Sequence, residues 1–511
     1  MPLSSYSSDL KRIASGARAP AMALLVGFAM AGCAVGPDYH RPDAPAVDRF
    51  TARPLPTSTV SSPVGTGDAQ RFLQGRDVPA RWWTTFNNEE LTRRVNTALA
   101  NSPSVASAKA ALREAQETAR AAGGSLLPAV DANGGVTRQK SPLATTGGAA
   151  AAGPYTLYNA SVSVGYTLDL FGGVRRAIEA QLAQSDYQQA QLDSTYLTLA
   201  GNVVTASLQE ASLREQLRAT EQIVDWQRKT LDIARKQQEI GATALYDTLA
   251  VRAQLATTEA SLPPLRARLA ATRNQLATYL GTTPAQLEMS PLMLDSVHLP
   301  QDIPVSLPSQ LVDQRPDIRA TSAVLHAASA QVGVATAAML PQIRLSGSGG
   351  SQALNRSDLF SAGTGAWSLG LNLTQPLFHG GELLHQKRAA QARLDKAAAD
   401  WQQTVLTAFQ NVADALQALQ FDAQTLAAQT TAEQAASQRL ALARQQYQLG
   451  ATGYLDLLDA ERSYQQALIT QIQARASRLS DTAALYTALG GGWRSDEGQA
   501  APASPSSPAS N

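Results

Sequence analysis

Two carboxylates near the C-terminal end of the chain, Asp456 and Asp459, lie three residues apart and would share one face of a helix. An acidic pair on one face can attract cations or pair with an arginine. The pair also has a purely structural explanation, because negative charge in the first turns of a helix interacts favourably with the helix dipole. The residues alone leave both explanations open.

Side chains suited to catalysis are scattered along the chain. No nucleophile elbow, P-loop or dinucleotide fingerprint stands out. We therefore expect no enzyme, no cofactor and no metal site, and the net charge of +1 gives no basic field for nucleic acid. His379 and His385 lie on either side of a Gly-Gly turn, which is not the spacing of zinc ligands on one helix face. The histidines are His40, His298, His326, His379 and His385.

The single cysteine, Cys33, follows a stretch with the features of a secretory signal. Residues 1–32 begin with basic side chains and continue into an apolar run of about 12 residues, which is too short to span a membrane. The run ends in Met30-Ala31-Gly32-Cys33, which resembles a bacterial lipobox. We expect Cys33 to carry S-diacylglycerol and an N-palmitoyl group, and Ala34 after it favours sorting to the outer membrane.

An internal duplication organises the rest of the chain. The Gly-Ala-Thr sequence at 241–243 recurs at 450–452, and the same offset of 209 residues relates Leu-Gly at 280–281 to Leu-Gly at 489–490. We therefore predict two tandem repeats. The predicted segments are a lipidated extended N-terminal segment at 33–86, repeat 1 at 87–281, a linker at 282–308, repeat 2 at 309–490 and a disordered tail at 495–511.

Each repeat is predicted to contain a helix, two strands and two long helices. The strands alternate apolar and polar residues with a period of two, and the first long helix of each repeat has almost no Pro or Gly. The predicted strands are about 129–140, 157–171, 342–352 and 366–378. The predicted long helices are 176–240, 243–280, 382–449 and 452–489.

Four amphipathic strands cannot close a barrel, and an open sheet in lipid would leave the amides of its edge strands unsatisfied. If the strands lie in a membrane, several chains must therefore contribute to one barrel, with Tyr158, Tyr166 and Trp367 facing lipid. A soluble sandwich with one wet face would show the same alternation. The lipobox and the length of the helices favour the membrane α+β fold, with the Ala-rich helices packed as coiled coils.

Several motifs resemble those of TolC-like outer-membrane factors of the NodT lipoprotein type. The resemblance spans nearly all of residues 33–494. The motifs are Cys33-Ala34-Val35-Gly36-Pro37-Asp38-Tyr39, Trp82-Trp83-Thr84-Thr85-Phe86, Arg315-Pro316-Asp317-Ile318, Tyr454-Leu455-Asp456-Leu457-Leu458-Asp459 and Gly490-Gly491-Gly492-Trp493.

The resemblance implies a homotrimer in which three chains form a 12-stranded transmembrane β-barrel, four strands from each, and a long periplasmic α-helical coiled-coil barrel. It also implies that the chain is the outer-membrane channel of a tripartite efflux pump. Its expected partners are a periplasmic adaptor, or membrane fusion protein, an inner-membrane transporter of the resistance-nodulation-division type, and outer-membrane lipid.

The resemblance also assigns candidate site residues. The start of the last long helix would line a periplasmic aperture, where threefold symmetry turns each acid into a carboxylate ring and Arg462 or a neighbouring subunit can bridge the acids. The Gly-Ala-Thr turns would contact the adaptor, although Gly can equally serve as a helix C-cap and Thr as an N-cap. The aperture residues are Leu455, Asp456, Asp459 and Arg462, and the turn residues are Gly241, Ala242, Thr243, Gly450, Ala451 and Thr452.

The expected function is therefore passive, gated export of small toxic molecules such as drugs across the outer membrane. Two alternatives remain at this point. The first is an outer-membrane duct for type I protein secretion, whose sequence signals overlap heavily with those of an efflux duct. The second is a periplasmic coiled-coil scaffold lipoprotein without a pore, which planar-bilayer conductance would distinguish.

Overall fold

The computed structural model describes residues 34–140 and 154–491. The predicted signal peptide, Cys33 and the predicted tail at 495–511 lie outside the described residues. Within them the chain divides into two compact units. The sheet unit contains residues 34–42, 112–140, 154–187 and 321–401, and the helical unit contains residues 43–111, 188–320 and 402–491.

The described residues form eight α-helices and six strands, which we number in chain order. The helices are α1 Glu89–Asn101, α2 Pro103–Gly123, α3 Gly173–Glu239, α4 Leu245–Tyr279, α5 Pro308–Gln314, α6 Pro316–Ala337, α7 Glu382–Gln448 and α8 Tyr454–Ala488. The strands are β1 Arg71–Gln74, β2 Ala129–Gln139, β3 Tyr155–Leu168, β4 Asp302–Val305, β5 Gln342–Ala353 and β6 Gly365–Thr374. None of the helices in the described ranges has the length and apolar character needed to cross a membrane.

The sheet unit is built on one antiparallel sheet with the strand order β2-β3-β5-β6. Its register places Val162 of β3 opposite Gly349 of β5, and Gly349 opposite Trp367 of β6. Because side chains alternate along a strand, this register puts the apolar rows of both repeats on the same face. The exposed apolar residues of that face include Val130, Val136, Val162, Val164, Leu345, Trp367, Leu369, Leu371 and Leu373.

The opposite face of the sheet is polar. The amide of Asn133 donates to the Ser163 hydroxyl at 3.0 Å, and the hydroxyls of Ser348 and Ser368 are 2.8 Å apart. A sheet whose apolar face is exposed while its polar groups bond to one another has the opposite arrangement to a soluble sandwich, which buries its apolar face.

Two predicted strands end earlier in the structure. The strand predicted at 157–171 ends at Leu168, because the Asp169 carboxylate accepts the backbone N–H groups of Val174 and Arg175 and so caps the start of α3. The strand predicted at 366–378 ends at Thr374, two residues before Pro376, which cannot donate to a strand ladder.

The helix that opens each repeat is divided in two by a proline. Ser102, before Pro103, has ψ 127°, and Arg315, before Pro316, has ψ 125°. Both values are extended, because the ring of a following proline disfavours helical geometry in the residue before it. The helix that opens repeat 1 is therefore the pair α1–α2, and the one that opens repeat 2 is the pair α5–α6.

The N-terminal segment and the linker contain structure that the sequence patterns did not indicate. β1, from the segment predicted as extended at 33–86, pairs in parallel with β4, from the linker predicted at 282–308. A 3-10 helix at Trp82–Phe86 buries Trp82 against Tyr486 of α8, with ring centroids 5.5 Å apart. These contacts hold both connecting segments in the core of the helical unit.

Candidate functional site

Both Gly-Ala-Thr turns close in the same way. Gly241 and Gly450 adopt positive φ values of 74° and 70°, where glycine has no steric penalty. The amide of Ala242 donates to the Gln237 carbonyl at 2.7 Å, and that of Ala451 to the Gln446 carbonyl at 2.8 Å. These bonds satisfy the last carbonyls of α3 and α7.

The threonines of the turns do not cap the following helices. The N-cap residue of α4 is Ala244 and that of α8 is Gly453, and neither makes a side-chain cap. Thr452 instead donates its hydroxyl to the Asp456 carboxylate at 2.5 Å. Apolar side chains stand exposed around both turns, and they are Ile240, Leu245, Tyr246, Leu249, Leu449 and Leu455.

The candidate aperture residues occupy the first three turns of α8, where Leu455 is 54% exposed. The resemblance implied that Arg462 or a neighbouring subunit could bridge the acids of a trimer, and within the chain Arg462 contacts another helix. Its Nε donates to Gln254 Oε1 on α4 at 2.7 Å. Asp459 is paired with Arg439 of α7, whose Nη2 lies 2.5 Å from its carboxylate. This pairing arises because α7 runs back beside α8 and presents Arg439 to Asp459.

Several side-chain contacts tie the long helices together near the turns. Besides Arg462–Gln254 and Arg439–Asp459, the Tyr447 hydroxyl of α7 donates to Gln237 Oε1 of α3 at 3.2 Å. We call these three contacts the tip ties. Sequence spacing gave no signal for Arg439, Gln254, Tyr447 or Gln237, because their partners lie on other helices.

The tip ties lie beside a cluster of buried apolar residues. Val251, Leu255, Leu440 and Leu457 belong to it. Glu461 is buried next to this cluster, and burial raises the pKa of its carboxyl group, although Arg444 opposes the shift from 3.9 Å away. The apolar cluster stabilises the packing of the long helices beside the tip ties.

A second polar cluster joins the segment at 59–70, which we call the strap, to α7 and α8. Arg478 of α8 is fully buried and donates to the backbone carbonyls of Thr66 and Asp68, at 3.1 and 2.7 Å. It also donates to the hydroxyl of Thr59 at 3.1 Å. Burial lowers the Arg478 pKa to about 10, while the negative charge of Asp422 opposes that change.

Asp422 of α7 lies against Asp481 of α8 in this cluster. Burial and the neighbouring Asp481 carboxyl raise the pKa of Asp422 to about 7, and Arg478 opposes the shift. A carboxyl group that is buried beside a second one holds its proton more tightly, because its charged form is poorly solvated and repelled. The folded chain therefore keeps a proton that the unfolded chain releases above its ordinary pKa of 3.8.

Stability should consequently fall as the pH rises from about 4 to about 7, since the folded state binds the extra proton across that window. The pair is partly solvated, so we expect a loss of about 1–2 kcal/mol and not the full value of the shift. Thermal unfolding at pH 5 and at pH 8 measures this loss of stability. Asp422→Asn should flatten the difference, because it removes the titrating group, and an unchanged difference in that variant would show that Asp422 does not cause it.

The described residues contain no group of three or more His, Cys, Asp or Glu side chains that could hold a metal ion. The candidate site consists of charged and polar contacts between the long helices, together with exposed apolar residues around the turns.

Comparison with known proteins identifies both repeats. The family model described as "Outer membrane efflux protein" matches residues 95–282 and 307–491. The probable efflux pump outer membrane protein TtgC of Pseudomonas putida is 31% identical over 93% of this chain and 96% of its own length. The probable outer membrane lipoprotein SilC of Salmonella typhimurium is 28% identical over 91% of this chain and 97% of its length.

The fold agrees with these matches. The solved structure of the outer-membrane channel OprN superimposes with a TM-score of 0.79 at 29% identity, covering 90% of this chain and all of that one. The resemblance to TolC-like outer-membrane factors is thus confirmed, and so are the outer-membrane location and the role in efflux. The chain belongs to the family of outer membrane efflux proteins, the channel components that work with adaptors and inner-membrane transporters in tripartite pumps.

Proposed function

We propose that three copies of this chain close their sheets into one 12-stranded transmembrane barrel and use it for gated, passive export of small toxic compounds. The supporting observation is the exposed apolar face of the four-stranded sheet, with β2 and β6 as its edges. In hydrocarbon the amides of those edge strands need partners, which a second and a third copy supply. Three copies of four strands give a barrel with its polar face toward a water-filled interior.

We further propose that Cys33 carries the lipid that anchors each copy. The residues directly after it are firmly held in the sheet unit. Arg176, which is buried, binds the Asp38 carboxylate at 2.6 Å and donates to the Val35 carbonyl at 3.3 Å. Tyr39 stacks on His326 with centroids 4.3 Å apart. The segment that follows the proposed lipid anchor is therefore held against α3 and α6.

The Gly-Ala-Thr turns are proposed as the adaptor contacts. Their glycines shape tight turns, and exposed Ile240, Tyr246 and Leu449 present apolar surface around them. Isolated exposed apolar side chains are common, but a group at the ends of helix pairs is typical of a protein contact. The transporter that this adaptor recruits is proposed to be of the resistance-nodulation-division type.

The resting gate is proposed to lie at Leu455, Asp456 and Asp459. In a trimer each acid forms a ring of three carboxylates, which hold cations and slow their passage. The tip ties keep α8 against its neighbours and so keep the rings narrow. Opening requires those ties to break while the apolar cluster remains packed.

The double replacement Asp456→Ala and Asp459→Ala should raise single-channel conductance in planar bilayers by about twofold, because it removes both carboxylate rings. Asp247→Ala is the matched control, since Asp247 occupies the position of Asp456 in repeat 1 and has no second acid three residues later. Equal conductance in the parent and the double variant would show that these acids do not form part of the gate. Absence of any channel would reject the proposed function itself.

A further inference from the structure

Each repeat passes from its second strand into its long helix through a turn that contains Phe and two glycines. In repeat 1 this is Phe171-Gly172-Gly173, and in repeat 2 it is Phe378-His379-Gly380-Gly381. β3 and β6 both run antiparallel to β5 and so run in the same direction. The two turns therefore lie at the same end of the strands, where β3 and β6 both finish.

The turn of repeat 1 is covered by the chain's own N-terminal segment. The amide of Val35 donates to the Phe171 carbonyl at 3.0 Å. A Cβ atom on Gly172 would lie 2.6 Å from the Cα of Ala34, so the segment passes directly over this glycine. Phe171 itself is partly buried. The residues that cover the turn are those next to the predicted lipid-bearing cysteine.

The turn of repeat 2 is left uncovered by the described residues at 34–140 and 154–491. Leu377 is 91% exposed and Phe378 is 87% exposed. A Cβ atom on Gly380 would meet no described atom within 4 Å. The turn is nevertheless held in place, since Gln375 donates to the Met339 carbonyl at 3.2 Å and the Glu382 amide donates to the His379 carbonyl at 3.0 Å.

The uncovered turn continues the apolar face of the sheet and leads into basic residues. Along β6 the apolar face presents Leu369, Leu371 and Leu373, and the turn adds its two apolar side chains just beyond the strand. The first turns of α7 then carry Lys387 and Arg388, with Glu382 as the acid before them. Apolar and aromatic groups followed by basic groups match the change from hydrocarbon to phosphate at a bilayer surface.

We infer that the Leu377-Phe378 turn is a phospholipid contact in the leaflet that also receives the chain's own acyl anchor. Phospholipid covers the turn of repeat 2 as residues 34–35 cover the turn of repeat 1. The acyl chain packs on Phe378, and the headgroup phosphate is bound by Lys387 and Arg388. The inference rests on the proposed function, because it requires the apolar sheet face to lie in lipid.

Site-directed fluorescence tests the contact in the full-length protein. Phe378→Cys, Leu371→Cys and Ser368→Cys are each labelled with bimane and reconstituted into phosphatidylethanolamine–phosphatidylglycerol vesicles that carry nitroxides at the headgroup or at mid-chain. The parent chain, whose only cysteine is Cys33, gives the background. Leu371 lies on the apolar face and Ser368 on the polar face of the same strand.

The label at 378 is expected at a depth of about 15 Å from the bilayer centre, half of a hydrocarbon thickness of roughly 30 Å. Headgroup nitroxide should therefore quench it more than mid-chain nitroxide. A label at 378 that neither nitroxide quenches, while the label at 371 is quenched, overturns the inference, because the turn then lies outside the lipid. If neither nitroxide quenches the label at 371 or the label at 378, the result also contradicts the proposal that the apolar face of the sheet lies in the membrane.

Discussion

Replacing Arg462 by methionine is expected to raise the open probability of the channel about tenfold in planar bilayers. The Nε of Arg462 donates to Gln254 Oε1 at 2.7 Å, and this is the one tip tie that combines a charged donor with partial burial, so we expect it to be the strongest of the three. A hydrogen bond to a charged group contributes about 1.5–3 kcal/mol, and about 1.4 kcal/mol is tenfold in an equilibrium. Loss of this contact frees α8 from α4 and favours the open state.

Two further variants separate this effect from a general loss of structure. Gln254→Glu turns the contact into an ion pair and should lower the open probability below that of the parent. Arg439→Met breaks the exposed pair with Asp459, which is worth about 0.2–1 kcal/mol, and should have a much smaller effect. If Arg439→Met opens the channel more than Arg462→Met does, the gate depends chiefly on the α7–α8 pair, and the α4–α8 contact is not the strongest of the tip ties.

Replacing Arg478 by methionine should destabilise the helical unit by about 3–5 kcal/mol, as removal of one partner from a buried charged contact does. Methionine leaves the carbonyls of Thr66 and Asp68 without their donor and leaves Asp422 without its nearby cation. The strap should detach from α8 first. Thermal unfolding followed by helix ellipticity in detergent, together with proteolysis at the strap, measures both consequences.

Arg266→Met is the matched control, because Arg266 is exposed and its pair with Glu221 at 2.8 Å is a surface contact worth at most about 1 kcal/mol. Should Arg478→Met fail to accumulate, Arg478→Lys keeps the charge but loses the planar donor group, and an intermediate loss is expected. Equal unfolding temperatures for Arg478→Lys, Arg266→Met and the parent would contradict a structural role for the arginine.

Features with a local period could be read directly from the sequence. The alternation along Tyr158–Leu168 and Trp367–Leu373 placed apolar residues on one face of each strand, because the direction of a side chain follows from its neighbours alone. The duplication and its glycine turns were equally visible, since a turn with positive φ requires a particular residue type at one position. These patterns do not depend on distant parts of the chain.

Contacts between distant segments could not be read in this way. The strands β1 and β4 pair across more than 200 residues, and neither is long enough to show a period. The partner of Arg462 depends on how α4 and α8 pack. The sequence does not show which side chain of another helix lies within reach of an arginine. Asp422 and Asp481 look like ordinary surface acids in the sequence, because only packing places them against each other.

The central claim is that the apolar sheet of one chain is stable only when sister chains close it. The most direct measurement is native mass spectrometry of the lipidated protein released from detergent. A complex of three chains, with no stable monomer in buffer without detergent, is the predicted result. A folded single chain that stays dispersed without detergent, with the apolar face of β6 open to water, would contradict that claim.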